Sequence, residues 1–143
     1  MVNPKDVTGK VVNKIHRSLF RASNGRIGGN VMGMPAVELV TVGRKSGQRR
    51  STMLTAPIVD DDRVVLVASW GGDDRHPIWY LNLRDEPKVE VTVNGRHRDM
   101  TARTATAVEK ADLWPIITRS YKGYAGYQQK TDREIPVVIL EPR

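Results

Sequence analysis

Residues 36–42 read Ala36-Val37-Glu38-Leu39-Val40-Thr41-Val42, residues 43–50 read Gly43-Arg44-Lys45-Ser46-Gly47-Gln48-Arg49-Arg50, and residues 52–58 read Thr52-Met53-Leu54-Thr55-Ala56-Pro57-Ile58. The pattern predicts two strands joined by a turn in which positive charge collects. Glycine lets the backbone approach a ligand closely, and the N–H groups of such a turn can form an anion-binding nest. Arginine adds paired donors and lysine adds a mobile charge. We expect a phosphate or polycarboxylate here, and the alternative is an exposed basic hairpin tip that only aids solubility.

Length and composition predict one globular domain covering residues 1–143. Apolar residues make up 39% of the chain, and with a single Phe the core must be built from Val, Leu, Ile and three Trp. No apolar run reaches the roughly 18 residues that a transmembrane helix needs, and the N-terminal segment has no secretory pattern. The absence of cysteine excludes disulfides, thiol nucleophiles and thiolate metal sites, and suits a cytoplasmic protein.

The charge balance points to anionic partners. Lys and Arg number 23 against 16 Asp and Glu, which gives a net charge of +7. Three classes of partner fit such a balance, namely nucleic acid, anionic lipid and a charged small molecule.

The N-terminal part predicts an amphipathic helix from about Thr8 to Ala22, in which Val12, Ile15 and Leu19 follow helical spacing among basic residues. The segment Ser23-Asn24-Gly25 ends it. Packing over the rest of the domain is the favoured interpretation, and weak association with an anionic membrane is the alternative.

The remainder of the chain predicts six strands with helices at the margins. The strands are expected at 36–42, 54–59, 63–69, 89–93, 96–104 and 135–140. Asn94-Gly95 is a type I′ hairpin signal, and Thr106 with Glu109 fits a capping box. Pro77 is expected in the first turn of a short helix, and Pro136 at an edge or bulge. Because long βαβ crossovers are missing, we expect an α+β fold built on a six-stranded antiparallel barrel.

The chain contains no sequence signature of a self-sufficient catalyst. His16, His76 and His97 lack ligand-type spacing, so no metal site is expected. Nucleophile-elbow, dinucleotide-binding and Walker A patterns are absent as well. Difficult chemistry would therefore depend on a cofactor.

Three local features are candidates for a ligand site. The segment Ser69-Trp70-Gly71-Gly72 ends a buried strand and is either a close backbone approach or a plain turn. Trp79 either stacks on a planar ring or plugs the barrel end. Tyr121, Tyr124 and Tyr127 recur every three residues among glycines, as either a functional lid or a core stripe.

Together these segments resemble the deazaflavin-dependent nitroreductase family, whose members use coenzyme F420. The resemblance covers about Val37 to Pro142, and four ordered blocks carry it: Thr41-Val42-Gly43-Arg44-Lys45-Ser46-Gly47-Gln48, then Val67-Ala68-Ser69 with Gly71-Gly72, then Pro77 with Trp79-Tyr80-Leu81-Asn82-Leu83, and finally the three tyrosines with Thr131-Asp132-Arg133 and Ile135-Pro136. It implies a split β-barrel related to flavin-binding and pyridoxamine-phosphate-oxidase-like barrels, with reduced F420 as hydride donor.

The resemblance also implies roles for individual residues. The phosphate and tail of the cofactor would be held by Arg44, Lys45, Ser46, Gly47 and Arg50. Thr52 and Leu54 would line its groove, and the ring would be bordered by Ala68, Ser69, Trp70, Pro77, Ile78, Trp79 and Asn82. The substrate pocket would be walled by Tyr121, Tyr124, Tyr127 and Trp79, with Ser69, Tyr121 and Tyr127 as the catalytic residues.

The expected function is F420-dependent reduction of an electron-poor conjugated C=C bond, as in an enone or unsaturated lactone, or of a quinone. The substrate is therefore a small aromatic or conjugated molecule, and nucleic acid is not an expected partner. Alternatives are a basic barrel that binds single-stranded nucleic acid, a flavin mononucleotide enzyme on the same barrel, and a membrane-bound quinone reductase. The sequence does not choose between a monomer and a homodimer.

Overall fold

The computed structural model of the chain describes residues 30, 31 and 33–143, with side chains from residue 33 onward. The predicted helix from Thr8 to Ala22, its stop signal at Ser23-Asn24-Gly25, and His16 lie outside the described residues. Within the described part, none of the helices has the length and apolar character needed to cross a bilayer.

Strands and helices are interspersed along the described part of the chain, and the last element is a strand. The strands are β1 (Asn30–Val31), β2 (Met34–Val42), β3 (Arg49–Thr55), β4 (Ile58–Val59), β5 (Val64–Val67), β6 (Lys88–Val93), β7 (Arg96–Thr104) and β8 (Val137–Pro142). The helices are α1 (Ile78–Asp85), α2 (Ala107–Ser120) and α3 (Gly123–Gln129), and a short 3₁₀ turn covers Trp70–Gly72.

The sheet closes on itself because of how its ends are connected. All strand pairs of the described part are antiparallel, and the order is β3-β2-β6-β7-β8-β5-β4 with β1 beside β2. β3 and β4 lie at opposite ends of this order, yet only Ala56 and Pro57 separate them in sequence. Since one extended residue spans at most about 3.6 Å, the sheet must curl until its ends meet. The predicted α+β class with an antiparallel barrel and flanking helices is confirmed.

The predicted count of six strands is too low for the described part, which contains eight. The two additional strands, β1 and β4, have two residues each, too few to leave an alternating pattern in the sequence. The segment predicted as one strand over 54–59 is divided, because β3 ends at Thr55 and β4 begins at Ile58. Pro57 lies in the gap and has no N–H to donate to a ladder.

Apolar residues fill the barrel interior and a second layer outside it. β5 is buried along its whole length, as its continuous apolar run predicts. Val64 and Leu66 belong to the interior cluster. Val65 and Val67 belong to the outer cluster, together with residues of α2 and α3 such as Ile117. Helices α2 and α3 therefore cover one outer face of the barrel. The strand between the two layers, β5, ends shortly before the 3₁₀ turn.

Two local signals in the sequence are confirmed by the backbone. Asn94 and Gly95 both have positive φ, 52° and 74°, which a type I′ hairpin turn requires. The Thr106 hydroxyl accepts a hydrogen bond from the Glu109 N–H, and the Glu109 carboxylate accepts one from the Thr106 N–H. This reciprocal capping starts α2 where the sequence predicts it.

Both prolines differ slightly from their predicted places. Pro77 is the N-cap of α1 and precedes its first turn by one residue. Pro136 is neither at an edge nor at a bulge, because β8 lies between β5 and β7 and begins only at Val137. The missing N–H of Pro136 therefore costs no ladder bond, while its carbonyl accepts from the Ala68 N–H at 2.9 Å.

Candidate active site

The basic turn between β2 and β3 is compact and internally bonded. The Gly43 N–H donates to the Gln48 carbonyl and the Gly47 N–H donates to the Gly43 carbonyl, both at 2.8 Å. Gly47 has φ 71°, where only glycine is comfortable. A Cβ at Gly43 would meet the Ser46 hydroxyl at 2.6 Å, so a larger residue there would displace the Ser46 side chain. The turn thus has a defined backbone and is not a loose tip.

Helix α1 braces this turn through Asn82. The Asn82 side chain is 3% exposed; its amide oxygen accepts from the Arg44 N–H at 3.1 Å and its amide nitrogen donates to the Thr41 hydroxyl at 3.2 Å. Both polar ends of the amide are satisfied, which a buried amide requires. Asn82 therefore lies behind the backbone of the turn, and Thr41, buried at 2% exposure, is a contributor that sequence reasoning missed.

The four cations of the turn are not equivalent. Arg49 forms a paired hydrogen bond with the Glu90 carboxylate, at 3.0 and 2.9 Å. Arg50 donates to the Ser46 hydroxyl at 3.3 Å. Over residues 33–143, no ion pair engages the exposed side chains of Arg44 and Lys45. Two cations next to a braced backbone are therefore available to an anionic ligand.

The predicted groove residues of β3 share one face of that strand. The register pairs Arg50 with Thr41, Thr52 with Leu39 and Leu54 with Val37. Paired residues of an antiparallel ladder point to the same side, so Arg50, Thr52 and Leu54 lie on the side of the barrel interior. Leu54 is half-buried against the interior cluster. This face joins the charged turn to an apolar surface.

Helix α1 begins with one buried and one exposed apolar residue. Trp79 is 9% exposed and belongs to the interior cluster, where its ring meets Tyr80 edge to face at 6.4 Å. It therefore closes the barrel end. Ile78 is 65% exposed, and Pro77 before it is buried. An exposed isoleucine beside this plug provides an apolar surface for a flat ligand.

The predicted close approach at the end of β5 is a strained left-handed turn. Ala68 and Ser69 are buried, and then Trp70, Gly71 and Gly72 have φ of 42°, 63° and 84°. Positive φ at a bulky residue such as tryptophan is rare. The guanidinium of Arg75 lies 4.5 Å above the Trp70 ring.

The three tyrosines form one cluster at the junction of two helices. Tyr121 is the C-cap of α2, while Tyr124 and Tyr127 lie on α3, so they do not share a single helix as their spacing suggests. Their ring centroids are nevertheless only 5.3 to 6.1 Å apart. Tyr124 is 5% exposed and its hydroxyl bonds Thr55 at 3.3 Å, whereas Tyr121 and Tyr127 are half-buried.

Two of the hydroxyl groups in this cluster share a hydrogen bond. The Tyr121 and Tyr127 hydroxyl oxygens are 3.2 Å apart. This hydrogen bond, followed by partial burial, raises the pKa of Tyr127 to about 12. Burial also raises the pKa of Tyr124. Both phenols therefore keep their protons at neutral pH.

Helix α3 rests directly on the left-handed turn. A Cβ added at Gly72 would lie 2.9 Å from the Tyr127 carbonyl oxygen and 3.0 Å from the Lys130 Cβ. Glycine is required here both by φ and by this approach. The structure therefore brings the Ser69 turn and the tyrosine cluster into contact, although about 50 residues separate them in sequence.

A surface depression and a side-chain cluster lie elsewhere in the described part, and neither contains a predicted site residue. A shallow depression between α2 and α3 is lined by Pro115, Thr118, Arg119, Lys122 and Ala125. On β6 and β7, the side chains of Glu90, His97 and Asp99 meet near the surface. Glu90 is already engaged by Arg49, and this acidic group is an exposed ion-pair cluster.

Comparison with known proteins agrees with this architecture. A sequence profile of the F420H2-dependent quinone reductase family matches residues 12–142. An F420H2-dependent quinone reductase of Mycobacterium tuberculosis is 40% identical over 134 residues, which is 91% of this chain and 89% of that protein.

Solved structures give the same assignment. A structure of an F420-H2 dependent reductase, FDR-A, covers 75% of this chain and 94% of its own, at 40% identity and a TM-score of 0.68. A structure described as a domain-swapped dimer covers 97% of this chain and 100% of its own, at 35% identity and a TM-score of 0.71.

A Clostridium acetobutylicum protein of the pyridoxinephosphate oxidase family covers 87% of this chain and 83% of its own. At 12% identity and a TM-score of 0.53 it supports the barrel fold alone. The chain belongs to the F420H2-dependent quinone reductase family, a family of F420-dependent oxidoreductases on a split β-barrel.

Proposed function

We propose that this chain uses reduced F420 to reduce quinones and electron-poor conjugated C=C bonds, such as those of enones and unsaturated lactones. When bound, the reduced deazaflavin supplies a hydride equivalent. The protein residues bind and orient the two reactants, exclude water and hold the proton that completes the reduction. Close, oriented approach of two reactants can lower a barrier by roughly 7–11 kcal/mol.

The observation that carries this proposal is the pair of cations on the braced turn. Arg44 and Lys45 have no ion-pair partner among the described residues, while Asn82 holds the turn backbone from behind. A preorganised cationic turn suits the phosphate and carboxylate groups of the F420 tail, because binding then loses little free energy to ordering the turn backbone. The residues present therefore fit the anionic part of the cofactor.

The surfaces beyond the turn fit the flat part of the cofactor. Thr52 and Leu54 continue the face of Arg50, and Ile78 exposes an apolar side chain beside the buried Trp79. An apolar wall with few polar groups is typical of a site for a planar ring. We assign ring contact to Ile78 and Trp79, and groove contact to Thr52 and Leu54.

The proton is assigned to the Tyr121–Tyr127 pair. Their hydroxyl groups share one hydrogen bond at 3.2 Å, so one of them donates and the other retains a proton to offer a substrate oxygen. The pKa of Tyr127, raised to about 12, keeps its hydroxyl group protonated at neutral pH. The Ser69 hydroxyl is proposed to stabilise the developing oxyanion.

An anaerobic assay with reduced F420 tests the proposal directly. Oxidation of the cofactor is followed by its absorbance with menadione, a coumarin and a simple enone as separate acceptors. Turnover with menadione but not with the other two would restrict the substrates to quinones. Absence of turnover with all three, together with absent F420 binding in a fluorescence titration, would overturn the proposal.

The structure supports the alternative functions less well than F420-dependent reduction. Nucleic-acid barrels stack bases on aromatic residues along exposed strands, whereas here Tyr121, Tyr124 and Tyr127 pack on each other at a helix junction. A flavin mononucleotide enzyme on the same fold would show flavin absorbance when purified or when reconstituted with that cofactor.

A homodimeric assembly and a cytoplasmic location are also proposals. The related domain-swapped dimer supports a homodimer for this chain, and light scattering of the purified protein tests it. A cytoplasmic location, with weak membrane contact through the predicted helix at residues 8–22, is tested by co-flotation with anionic vesicles.

A further inference from the structure

The side chain of Arg133 is directed at a single segment, residues 68–76. Its guanidinium donates to the carbonyl oxygens of Ala68 at 3.2 Å, Ser69 at 3.0 Å and Asp73 at 2.8 Å, and its Nη1 lies 3.1 Å from Nδ1 of His76. Burial, followed by the charges of Arg133 and Arg84, lowers the pKa of His76. A neutral imidazole can accept the Arg133 hydrogen bond, so one guanidinium gathers four acceptors.

The segment that Arg133 holds contains a strained residue, Trp70, whose φ is 42°. Trp70, Gly71 and Gly72 are all left-handed, and for tryptophan this conformation costs free energy. Such strain persists only where surrounding contacts over-determine it. Arg133 provides these contacts, because the carbonyl groups that it binds flank the left-handed residues on both sides.

The other end of Arg133 is anchored to the tyrosine helix. The Arg133 carbonyl accepts from the Gln128 side chain at 2.8 Å, and the same side chain accepts from the Ile135 N–H at 3.0 Å. Gln128 belongs to α3, as does Tyr127. Arg133 therefore connects α3, which carries Tyr127, to the turn that follows Ser69.

We propose that Arg133 is a positioning residue of the hydride-transfer site. It holds residues 70–72 in their left-handed conformation and thereby sets the turn after Ser69 against α3. It acts through backbone carbonyls and not on the reacting atoms. The inference rests on the proposed function, since the geometry matters for turnover only if the site is the catalytic one.

Arg133→Lys tests the proposal, because lysine keeps the charge and loses the planar fork that reaches several carbonyls. The chain offers a control in Arg98, a buried arginine whose guanidinium also donates to two backbone carbonyls, those of Asp60 at 3.0 Å and Asp61 at 2.6 Å. Arg98→Lys removes the same kind of contact at the opposite end of β5.

Hydrogen exchange gives a readout that needs no cofactor. The Gly72 N–H donates to the Ser69 carbonyl and the Asp73 N–H to the Trp70 carbonyl. In Arg133→Lys both amides should exchange at least about tenfold faster, since local opening of the turn becomes easier. In Arg98→Lys they should change less than about twofold. Equal exchange rates of these amides in the two variants would overturn the proposal that Arg133 holds the turn.

Kinetics then test positioning. Arg133→Lys should lower kcat with menadione at least about tenfold, because small misplacements of catalytic groups are costly. Arg98→Lys should stay within about twofold at a temperature where both variants are folded. Normal turnover in Arg133→Lys, despite faster amide exchange, would mean that Arg133 only stabilises the turn, and would overturn its positioning role.

The two failures can be told apart. If the wild-type protein neither binds F420 nor oxidises it, the proposed function fails and the positioning role fails with it. If Arg133→Lys does not fold, the wild-type protein tests whether Arg133 holds the turn. The Asp73 amide should then exchange at least about tenfold more slowly than the Gly47 amide, which is bonded in a turn whose carbonyls no guanidinium binds among the described residues. Equal rates would overturn the inference.

Discussion

Removing Arg44 or Lys45 should weaken F420 binding by about tenfold each. A hydrogen bond between charged groups contributes about 1.5–3 kcal/mol, and about 1.4 kcal/mol corresponds to tenfold in affinity. Both side chains are exposed, so solvent screening places each contact at the lower end of that range. Neither side chain has an ion-pair partner among residues 33–143, so truncation strands no buried charge in the protein.

Arg49→Ala is the matched control from the same turn. It removes one positive charge as well, but that charge is committed to Glu90 through two hydrogen bonds. Losing an exposed ion pair costs roughly 0.2–1 kcal/mol of stability. We expect the F420 dissociation constant of Arg49→Ala to stay within about threefold of wild type.

Quenching of F420 fluorescence, titrated at low and high salt, measures all three variants. Arg44→Ala and Lys45→Ala should bind more weakly and show a shallower salt dependence, because fewer charged contacts remain to be screened. Equal weakening in Arg44→Ala, Lys45→Ala and Arg49→Ala would indicate a diffuse effect of net charge. Unchanged affinity in Arg44→Ala and Lys45→Ala would refute the assignment of the turn as the anion site.

Three further outcomes follow from the same geometry. Asn82→Ala leaves the Arg44 N–H without its acceptor, and should lower the free energy of unfolding by about 1–3 kcal/mol in urea titrations and weaken F420 binding. Unchanged stability together with unchanged F420 affinity would contradict the brace. Tyr127→Phe should lower kcat by about a hundredfold or more with F420 affinity unchanged, and a normal kcat would exclude its hydroxyl as the proton donor. Because the pKa of His76 is lowered from 6.5, the folded state binds fewer protons than the unfolded chain below that pH, and this contribution to stability is full above 6.5 and is lost as the pH falls towards the folded-state pKa. In thermal melts, His76→Asn should therefore flatten the dependence of melting temperature on pH in this range, and an unaltered dependence would assign it to other groups.

The elements that depend on neighbouring residues could be predicted from the sequence. The basic turn, the Asn94-Gly95 hairpin and the capping box at Thr106 each need only backbone conformations and contacts within a few residues. The buried run of β5 was equally predictable, because a continuous apolar segment shows burial on both faces without reference to its neighbours. The two-residue strands were not, since they contain no period to detect.

The roles within the site were decided by contacts between distant segments. Residue type and spacing alone do not distinguish Arg44 and Lys45 from Arg49, which the family resemblance leaves out of the expected cofactor site. The register of β2 with β6 brings Glu90 to Arg49, while Arg44 and Lys45 have no ion-pair partner within residues 33–143. Asn82 is 38 residues from Arg44, whose N–H it accepts.

Sequence by itself determined the local conformations and the cationic character of the turn, because these follow from residue type and short-range backbone geometry. Only the tertiary structure decided which cations of the turn pair with an acidic residue among residues 33–143. It also decided that Arg133 reaches across 64 residues to hold the carbonyl of Ser69. The physical reason is that a hydrogen-bond partner is selected by position in space, and positions across a closed barrel are set by strand register and not by distance along the chain.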